Sequence, residues 1–444
     1  MYMRKILVIG AGRSSVTLIK FLLEHSKTYS WLVTVADFSI DLAERSVMNH
    51  TNGLAIQFNV FDKQQRENEI SVHDIVISML PASMHIIVAK DCVRFCKHMV
   101  TASYVSEEIS KLHDASKNSG VLLLNEIGLD PGIDHMSAMR IIDNIKKMGG
   151  KIISFKSFCG GLVHPDYDNN PWKYKFTWNP RNVVLAGQGI AQYMYKGINQ
   201  NIPYFDLFEH TEKINILDLG EFEGYPNRDS LSYRDSYGLY DISTLYRGTL
   251  RRVGFSAAWN ILVKLGLTDD SYQIEDSHKI TKRQFISKFI KSSNLKLEDE
   301  FCNQFNIGRD SLIFKRLDWL GLFSDDLIGI KNATPAQLLQ AILEEKWSLD
   351  IDDRDMIVMQ HKFEYIYAGK TIKLKSSLSV FGNDNRETAM AKTVGLPVAI
   401  AAKLILDREI NSTGVRIPIT EDIYMPVLDE LEVNGINFIE EEIS

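Results

Sequence analysis

The sequence predicts an α/β fold that opens with a parallel sheet covered by helices on both faces. Short apolar runs alternate with longer segments of helical period between residues 5 and 128. The runs are KILVIG, WLVTVAD, LAIQFNV, IVISML, HMVTASY and VLLLNEIG. Strands that are apolar on both faces belong inside a sheet, and crossovers of helical length make neighbouring strands parallel. The pattern therefore predicts six βα units, an arrangement typical of a Rossmann-type domain.

The pattern changes twice after the sixth run, and 444 residues are too many for one ordinary core. A β-rich stretch with Gly, Pro, Asn and Tyr comes first, and a stretch of helical period follows it. Two further β runs, joined by Ala368-Gly369-Lys370, predict a hairpin. The tail predicts an apolar helix docked on the first domain and another helix around Ile423 to Leu431. We expect a Rossmann dinucleotide-binding domain (1–130 plus 386–444), an α+β substrate-binding and dimerisation domain (131–255 plus 351–385) and an all-α insert (256–350).

Composition excludes several classes of protein. The balance of 50 basic against 57 acidic residues gives a net charge of -7, which argues against a general nucleic-acid binder. The first apolar run begins at Lys5 and no run reaches the length of a membrane span, so neither a signal peptide nor a membrane helix is expected. The four cysteines lack the spacing of a zinc site or a disulfide framework. These features indicate a cytoplasmic protein without a metal site.

A glycine pattern directly after the first run predicts the cofactor site. Gly10-Ala11-Gly12 lets the backbone approach a pyrophosphate, whose charge the amide groups of the following helix can meet. The three residues that follow can add donors; they are Arg13, Ser14 and Ser15. The third glycine of the usual fingerprint is absent, and an unliganded turn is the alternative. The six βα units favour a dinucleotide and hence an oxidoreductase.

Asp37 ends the second run, where a carboxylate can accept hydrogen bonds from the adenosine ribose. Its charge would repel a 2′-phosphate, so the sequence favours NAD over NADP. Alternatively, Asp37 only initiates the turn before the next helix. At the end of the fourth run, Ser78, Met79 and Leu80 are expected to lie along the cofactor near its nicotinamide.

The segment NEIGLDPGIDHMSAMRIID contains the main chemical candidate, Asp130. As a helix N-cap followed by Pro131 at the first helical position, it needs no catalytic role. It also follows the sixth strand, beside the cofactor crevice, where a carboxylate can relay protons.

Together with six other segments, this one resembles the saccharopine reductase family, the L-glutamate-forming saccharopine dehydrogenases of lysine metabolism. The segments are VTASYVS, KSFCGGL, NPWKYKFTWNPR, YPNRDS, RGTLRRVGF and TVGLPVAIAAKLILD. The resemblance implies reversible NAD(P)-dependent oxidation of saccharopine to L-glutamate and 2-aminoadipate 6-semialdehyde. It also implies a small-molecule substrate and a homodimer formed through the middle domain.

The resemblance assigns roles to individual residues. Tyr104, Asp130 and Cys159 match candidate acid-base and orienting groups. The remaining matches are Ser103, Gly248, Thr249 and Leu250 for the substrate, and Trp178 near the nicotinamide. Saccharopine carries three carboxylates, and Arg228 in YPNRDS fits the need for a guanidinium group that binds one of them. Without the family match, Tyr104 reads as a core aromatic and Cys159 as a small buried hydrophobe. Three neighbouring arginines stay open between substrate contact and plain solvation: Arg247, Arg251 and Arg252.

Two departures from the family concern the cofactor. Comparable enzymes carry cysteine and arginine where this chain has Asp37 and Phe38, and the glycine loop differs as well. We therefore expect Asp37 and Phe38 to contact a cofactor without a 2′-phosphate.

Other interpretations stay open. A lysine 6-dehydrogenase or a carboxynorspermidine-type imine reductase belongs to the same superfamily, although Arg228 favours an acidic substrate. A nucleotide-sensing regulatory protein is the non-enzymatic alternative.

Overall fold

The structure, a computed structural model, describes residues 3–291 and 294–443. The chain divides into two compact units, which we treat separately. The first comprises Met1–Lys151 and Leu378–Ile439, and the second comprises Ile152–Ser377 and Glu440–Ser444. The prediction of a separate α+β domain and all-α insert within the later part of the chain stays a prediction.

The strands, in chain order, are β1 (Arg4–Ile9), β2 (Trp31–Asp37), β3 (Gly53–Gln57), β4 (Ile75–Ser78), β5 (His98–Val100), β6 (Leu122–Leu124), β7 (Lys151–Val163), β8 (Ile190–Tyr195), β9 (Ile198–Pro203), β10 (Glu212–Asn215), β11 (Glu221–Pro226), β12 (Thr244–Arg252), β13 (Asp355–Tyr367), β14 (Lys370–Phe381), β15 (Gly414–Arg416) and β16 (Ile439–Ile443). The helices are α1 (Val16–Tyr29), α2 (Ile40–Val47), α3 (Lys63–Val72), α4 (His85–Arg94), α5 (Glu107–Ser110), α6 (His113–Asn118), α7 (Ile133–Lys147), α8 (Pro180–Val184), α9 (Tyr233–Ser236), α10 (Phe255–Lys264), α11 (Lys282–Ser287), α12 (Leu297–Phe305), α13 (Leu312–Trp319), α14 (Pro335–Trp347), α15 (Ala389–Leu406) and α16 (Glu421–Val433).

The first unit contains a parallel sheet with the strand order β15-β6-β5-β4-β1-β2-β3. Its first six strands in chain order are the six predicted apolar runs, so the prediction of a Rossmann-type α/β fold is confirmed. A seventh strand, β15, pairs with β6 in parallel and was not predicted. Because all strands run the same way, their carboxyl ends meet at one edge of the sheet.

The apolar helix of the tail, α15, packs against the first helix of the chain. A Cβ atom on Gly395 would lie 3.0 Å from the backbone nitrogen of Leu18 and 3.1 Å from the carbonyl oxygen of Ser14. The backbones are therefore in contact, which confirms the predicted docking on the first domain. By length and composition this helix could cross a membrane, but 72% of it is buried inside the protein, as in a core helix.

The second unit contains a mixed sheet with the order β10-β11-β12-β7-β13-β14-β16, and β8 and β9 extend from β12. Strands β13 and β14 form the predicted hairpin. Ala368 and Gly369 at its tip have φ angles of 49° and 77°. Two consecutive positive φ angles are characteristic of the type I′ turn, whose twist matches that of the strands it joins.

An aromatic cluster forms the centre of the second unit. It comprises Trp172, Tyr174, Phe176, Phe255, Trp259 and Trp347, all buried. Trp347 ends α14, which a capping box between Thr334 and Gln337 initiates, with Pro335 at the first helical position. Helix α14 thus supplies one side of the cluster.

Candidate functional site

The carboxyl edge of the first sheet carries the glycine loop. The Gly10 N–H donates to the carbonyl oxygen of Ala36, and the Met79 N–H donates to that of Ile9, both at 2.8 Å. Gly10 has a φ of 105°, and a Cβ atom there would lie 2.8 Å from the Met79 carbonyl oxygen. Only glycine fits this close approach of two strand ends.

The loop then enters a short 3-10 turn, Arg13–Ser15, that continues into α1. The Ser15 hydroxyl is buried and donates to the carbonyl oxygen of Gly10 at 2.8 Å, so it closes the loop. A Cβ atom on Gly12 would meet nothing within 4 Å, and Arg13 is exposed. The open backbone at the start of a helix fits the pyrophosphate of a dinucleotide.

Asp37 shapes this loop from the end of β2. One carboxylate oxygen accepts the Ala11 N–H at 2.7 Å, and the other accepts the Ser39 N–H at 2.9 Å. The second bond is the turn-forming role that the sequence left as an alternative. Phe38 beside it is 74% exposed. Both oxygens therefore have structural partners before any cofactor is considered.

A histidine that the sequence motifs did not indicate connects two predicted site residues. Ser78 is fully buried, and its hydroxyl lies 2.8 Å from Nδ1 of His85. The other ring nitrogen, Nε2, lies 2.8 Å from the hydroxyl of Ser103. Burial lowers the pKa of His85 to about 4. Met79 and Leu80, predicted to follow the cofactor, are half-buried at the end of β4.

Tyr104 and Asp130 lie together after β5 and β6. The Tyr104 hydroxyl donates to Oδ1 of Asp130 at 3.4 Å. Glu126 holds the Tyr104 loop from both sides: its N–H donates to the Ser103 carbonyl at 3.0 Å, and its Oε1 accepts the Val105 N–H at 3.1 Å. The structure thus brings three predicted substrate residues, Ser103, Tyr104 and Asp130, to one edge.

The predicted N-cap role of Asp130 is wrong. Helix α7 begins at Ile133, and Gly132, with a φ of 146°, precedes it. The Gly132 N–H donates to the Asp134 carboxylate at 2.7 Å. The chain closes on itself first, because the Gly128 N–H donates to the Pro131 carbonyl at 2.9 Å. This loop displaces the helix start and leaves Asp130 beside Tyr104.

In the second unit, Cys159 on β7 pairs with Thr249 on β12, and Phe158 pairs with Gly248. Cys159 is buried and Thr249 is half-buried. A Cβ atom on Gly160 would lie 2.8 Å from the Leu250 side chain and carbonyl. The candidate site residues in KSFCGGL and RGTLRR therefore lie next to each other on two paired strands.

The three arginines that the sequence left open between substrate contact and solvation are not solvated surface side chains. Arg247 and Arg251 are 4% and 3% exposed, and Arg252 is half-buried. The Arg251 guanidinium lies 5.0 Å from the ring centre of Tyr174. Arg228 is exposed, with a φ of 47°.

Trp178 is half-buried and packs against the aromatic cluster. Among residues 3–291 and 294–443, no group of three or more His, Cys, Asp or Glu side chains could hold a metal ion.

Three residues of the first-unit site were not predicted from the sequence: His85, Glu126 and His135. Nε2 of His135 lies 3.0 Å from Oε2 of Glu126, and both residues are buried. Glu126 and His135 belong to the segment NEIGLDPGIDH, in which charged and polar residues interrupt an apolar run. Charged residues inside a segment expected to be buried could have identified the pair, because buried charged groups are rare unless paired.

Comparisons with known proteins point to one family over nearly all of the chain. Residues 6–124 match the model of the saccharopine dehydrogenase NADP binding domain, and residues 128–436 match that of the saccharopine dehydrogenase C-terminal domain. A Schizosaccharomyces pombe protein named saccharopine dehydrogenase [NADP(+), L-glutamate-forming] is 35% identical over 451 residues, or 99% of either chain. The solved apo saccharopine dehydrogenase (L-Glu forming) of Saccharomyces cerevisiae superposes with a TM-score of 0.89 at 33% identity, covering 99% of this chain and 100% of the other.

Some relatives are much longer. The α-aminoadipic semialdehyde synthase of Arabidopsis thaliana is 35% identical over 429 residues, which are 92% of this chain and 40% of that protein. The chain therefore spans less than half the length of this relative.

These findings correct the cofactor prediction. The prediction that NAD is favoured over NADP is wrong, because the matching family domain is described as NADP binding and the S. pombe relative is named for NADP(+). The cofactor inference rested on the charge of Asp37, whose two carboxylate oxygens accept backbone hydrogen bonds from Ala11 and Ser39; its contact with the adenosine ribose stays a prediction. On its fold, its motifs and these matches, the chain belongs to the saccharopine dehydrogenase family.

Proposed function

We propose that the protein is an NADP-dependent, L-glutamate-forming saccharopine dehydrogenase. It converts saccharopine, water and NADP+ into L-glutamate, 2-aminoadipate 6-semialdehyde, NADPH and a proton. The observation that carries the proposal is the pair formed by Tyr104 and Asp130, 3.4 Å apart at the carboxyl edge of the cofactor sheet. Full-length similarity to the S. pombe enzyme supports the same substrate.

The loop from Gly10 to Ser15 would hold the pyrophosphate of NADP, since its backbone is open at Gly12 and leads into α1. When bound, NADP would supply a hydride acceptor for the carbon that joins the aminoadipate part of saccharopine to the secondary amine, the carbon that becomes the aldehyde of 2-aminoadipate 6-semialdehyde. Ser78 ends the central strand β4, and Met79 and Leu80 follow it at the sheet edge where we expect the nicotinamide half of the dinucleotide.

Tyr104 and Asp130 handle the protons. Oxidation of a secondary amine gives an imine, whose hydrolysis requires a base for the attacking water and an acid for the departing amine. Asp130 is the base, and the Tyr104 hydroxyl, which donates to Asp130, relays the proton. The hydrogen bonds of Glu126 to the Ser103 carbonyl and the Val105 N–H keep the tyrosine loop in place.

The remaining family positions bind the substrate, which carries three carboxylates. Ser103 and Thr249 offer hydroxyl donors, and Arg228 offers an exposed guanidinium suited to bidentate binding of a carboxylate. Cys159 lies beside Thr249 on the neighbouring strand. The family resemblance gives Cys159 an orienting role and assigns Trp178 to the nicotinamide.

The test follows NADPH absorbance at 340 nm with purified protein, NADP and either saccharopine or L-lysine. We expect turnover with saccharopine and none with lysine. Turnover of lysine alone would replace this function by that of a lysine 6-dehydrogenase. Binding of NADP without turnover of either compound would favour a nucleotide sensor.

We also propose a cytoplasmic homodimer. The reducing compartment is supported by four cysteines without disulfides: Cys92, Cys96, Cys159 and Cys302. The dimer is supported by the family resemblance and by apolar side chains on β8 and β9, where Ile190 and Ile198 are 58% and 64% exposed. Light scattering behind size-exclusion chromatography should give twice the chain mass, and I198E should give the monomer.

A further inference from the structure

His85 lies between two strand ends of the first sheet. It is the first residue of α4 and is 1% exposed. Ser78, the last residue of β4, contacts Nδ1, and Ser103, which follows β5, contacts Nε2, both at 2.8 Å. One neutral imidazole therefore connects the strand end expected under the nicotinamide with the loop expected to bind substrate.

The hydrogen-bond pattern determines which ring nitrogen carries the proton. Burial lowers the pKa of His85 to about 4, so the ring is neutral near pH 7 and has one donor and one acceptor. Within the described parts of the chain, the Ser78 hydroxyl has no partner except Nδ1 and is fully buried. If Nδ1 were the donor, the Ser78 proton would be buried without an acceptor, which is unfavourable.

The Ser78 hydroxyl therefore donates to Nδ1, and Nε2–H donates to the Ser103 oxygen. The Ser103 hydroxyl has no other side-chain or backbone partner in the described residues. Its own proton is then available for an acceptor outside the protein, and Ser103 is only half-buried. A substrate carboxylate is such an acceptor.

We propose that His85 is a positioning residue of the substrate site: as the Nε2–H tautomer it turns the Ser103 hydroxyl proton toward a carboxylate of saccharopine. The inference rests on the proposed function for the identity of the substrate. The direction of the two hydrogen bonds of His85, from Ser78 and to Ser103, depends on the protein alone and can be tested without substrate turnover.

The first measurement is the tautomer. Histidine ring ¹⁵N spectra of the full-length protein, with the His85 signals identified by their loss in H85Q, should show Nε2 protonated and Nδ1 as an acceptor. The S78A variant should weaken that preference. A protonated Nδ1 in the wild type would overturn the proposal, whatever the enzyme turns over.

The second measurement separates positioning from a structural role. H85N keeps an amide near Ser78 but removes the donor at Nε2, whereas H85Q places an amide N–H where Nε2–H was. We expect H85N to raise the KM for saccharopine about tenfold, the loss of one hydrogen bond to a charged group, and H85Q to restore most of it. The Kd of NADP, measured by protein fluorescence, should change less than about twofold.

His73 provides a matched control. It is also buried with both ring nitrogens engaged, Nδ1 by the Glu69 carbonyl at 2.6 Å and Nε2 by the Thr34 hydroxyl at 2.9 Å. H73N and H73Q should lower the Tm and leave the KM for saccharopine unchanged.

The double variant H85N/S103A should bind saccharopine no more weakly than S103A alone, because His85 acts through Ser103. Additive effects, or an H85N variant that changes only the Tm, would make His85 a structural residue. Absence of wild-type turnover with saccharopine would instead reject the proposed function and leave the tautomer measurement to decide this inference.

Discussion

The edge of the first sheet and the β7–β12 region of the second unit both carry residues matched to the substrate, but they hold polar side chains differently. At the first edge, the His85 ring contacts the Ser78 and Ser103 hydroxyls, and the Glu126 carboxylate accepts the Val105 N–H and lies 3.0 Å from Nε2 of His135. In the second unit, Arg251 lies among aromatic rings and donates one hydrogen bond, to the Leu250 carbonyl at 2.9 Å; its Nε and the Tyr174 hydroxyl are buried without hydrogen-bond partners in the described residues. Hydrogen bonds position the first set of side chains, and mainly packing positions the second.

This contrast predicts that variants at the first edge change chemistry and protonation, whereas variants around Arg251 change stability. The directional groups of the first edge suit proton transfer, which depends on the placement of individual lone pairs. The buried Arg251 on β12 suits a structural role, because packing against aromatic rings fixes the position of the side chain but does not determine where protons lie.

The largest effect is expected for Asp130→Ala. Loss of the base should lower kcat about a thousandfold, within the range of general acid-base catalysis. The Kd of NADP should stay within about twofold, because the glycine loop holds the cofactor. Steady-state kinetics and fluorescence titration check these values. D114A, at an exposed position in α6, is the control. Wild-type kcat in D130A would remove Asp130 from the mechanism.

The next largest effect is expected for Arg251→Ala, and it is an effect on stability. The guanidinium lies 5.0 Å from the Tyr174 ring and 5.3 Å from the Phe255 ring, and its removal leaves a cavity. We expect a loss of about 3–4 kcal/mol in the free energy of unfolding, measured with urea. R228A, at an exposed position, should lose little stability and should raise the KM for saccharopine. Equal stability losses in both variants would contradict the contrast.

The pH dependence of stability tests the first edge. The pKa of His85 is about 4 in the folded protein, below its ordinary value of 6.5, so folding favours the neutral ring. The neutral His85 ring therefore makes its full contribution to the free energy of unfolding above pH 6.5. As the pH falls toward 4, up to about 3 kcal/mol of that free energy is lost. His73 and His98, whose pKa values burial also lowers, act in the same direction.

H85Q should therefore flatten part of the fall in unfolding free energy between pH 6.5 and 4, as measured by urea titrations at both pH values. A wild type that is equally stable at the two pH values would show that His85 is not held neutral.

The smallest effect is expected for Asp37→Asn. The side chain keeps one oxygen to accept the Ala11 N–H but loses its negative charge. NADP, with its 2′-phosphate, should bind about threefold more tightly at low salt, and the gain should shrink at high salt. Weaker binding would mean that the second carboxylate bond, to Ser39, matters more than the charge.

Local pattern was sufficient for much of the fold. The six apolar runs correspond to β1–β6, and Ala368-Gly369 forms the expected hairpin tip. Strand β15 has only three residues, Gly414–Arg416, and exists because the edge of β6 pairs with it. Such a short segment has no periodicity that a sequence pattern could reveal.

The site was predictable in part. Ser103, Tyr104 and Asp130 were found through motifs, and their proximity follows from the shared edge of a parallel sheet. The N-cap role of Asp130 was wrong because the loop closing on Gly128 overrides the local Asp-Pro preference. His85 was missed because its partners come from two different strand ends, and Asp37 misled because a carboxylate that shapes a turn has the same sequence signature as one that binds ribose.

The late position of β15 in the chain has a consequence for biosynthesis. A ribosome completes the other six strands of the cofactor sheet and all of Ile152–Ser377 before it reaches Gly414. Until then, β6 has an uncovered edge able to pair with a foreign strand. A nonsense mutation between Ser377 and Gly414 should therefore yield an aggregating polypeptide rather than a smaller working enzyme, even though the glycine loop and Asp130 would be present.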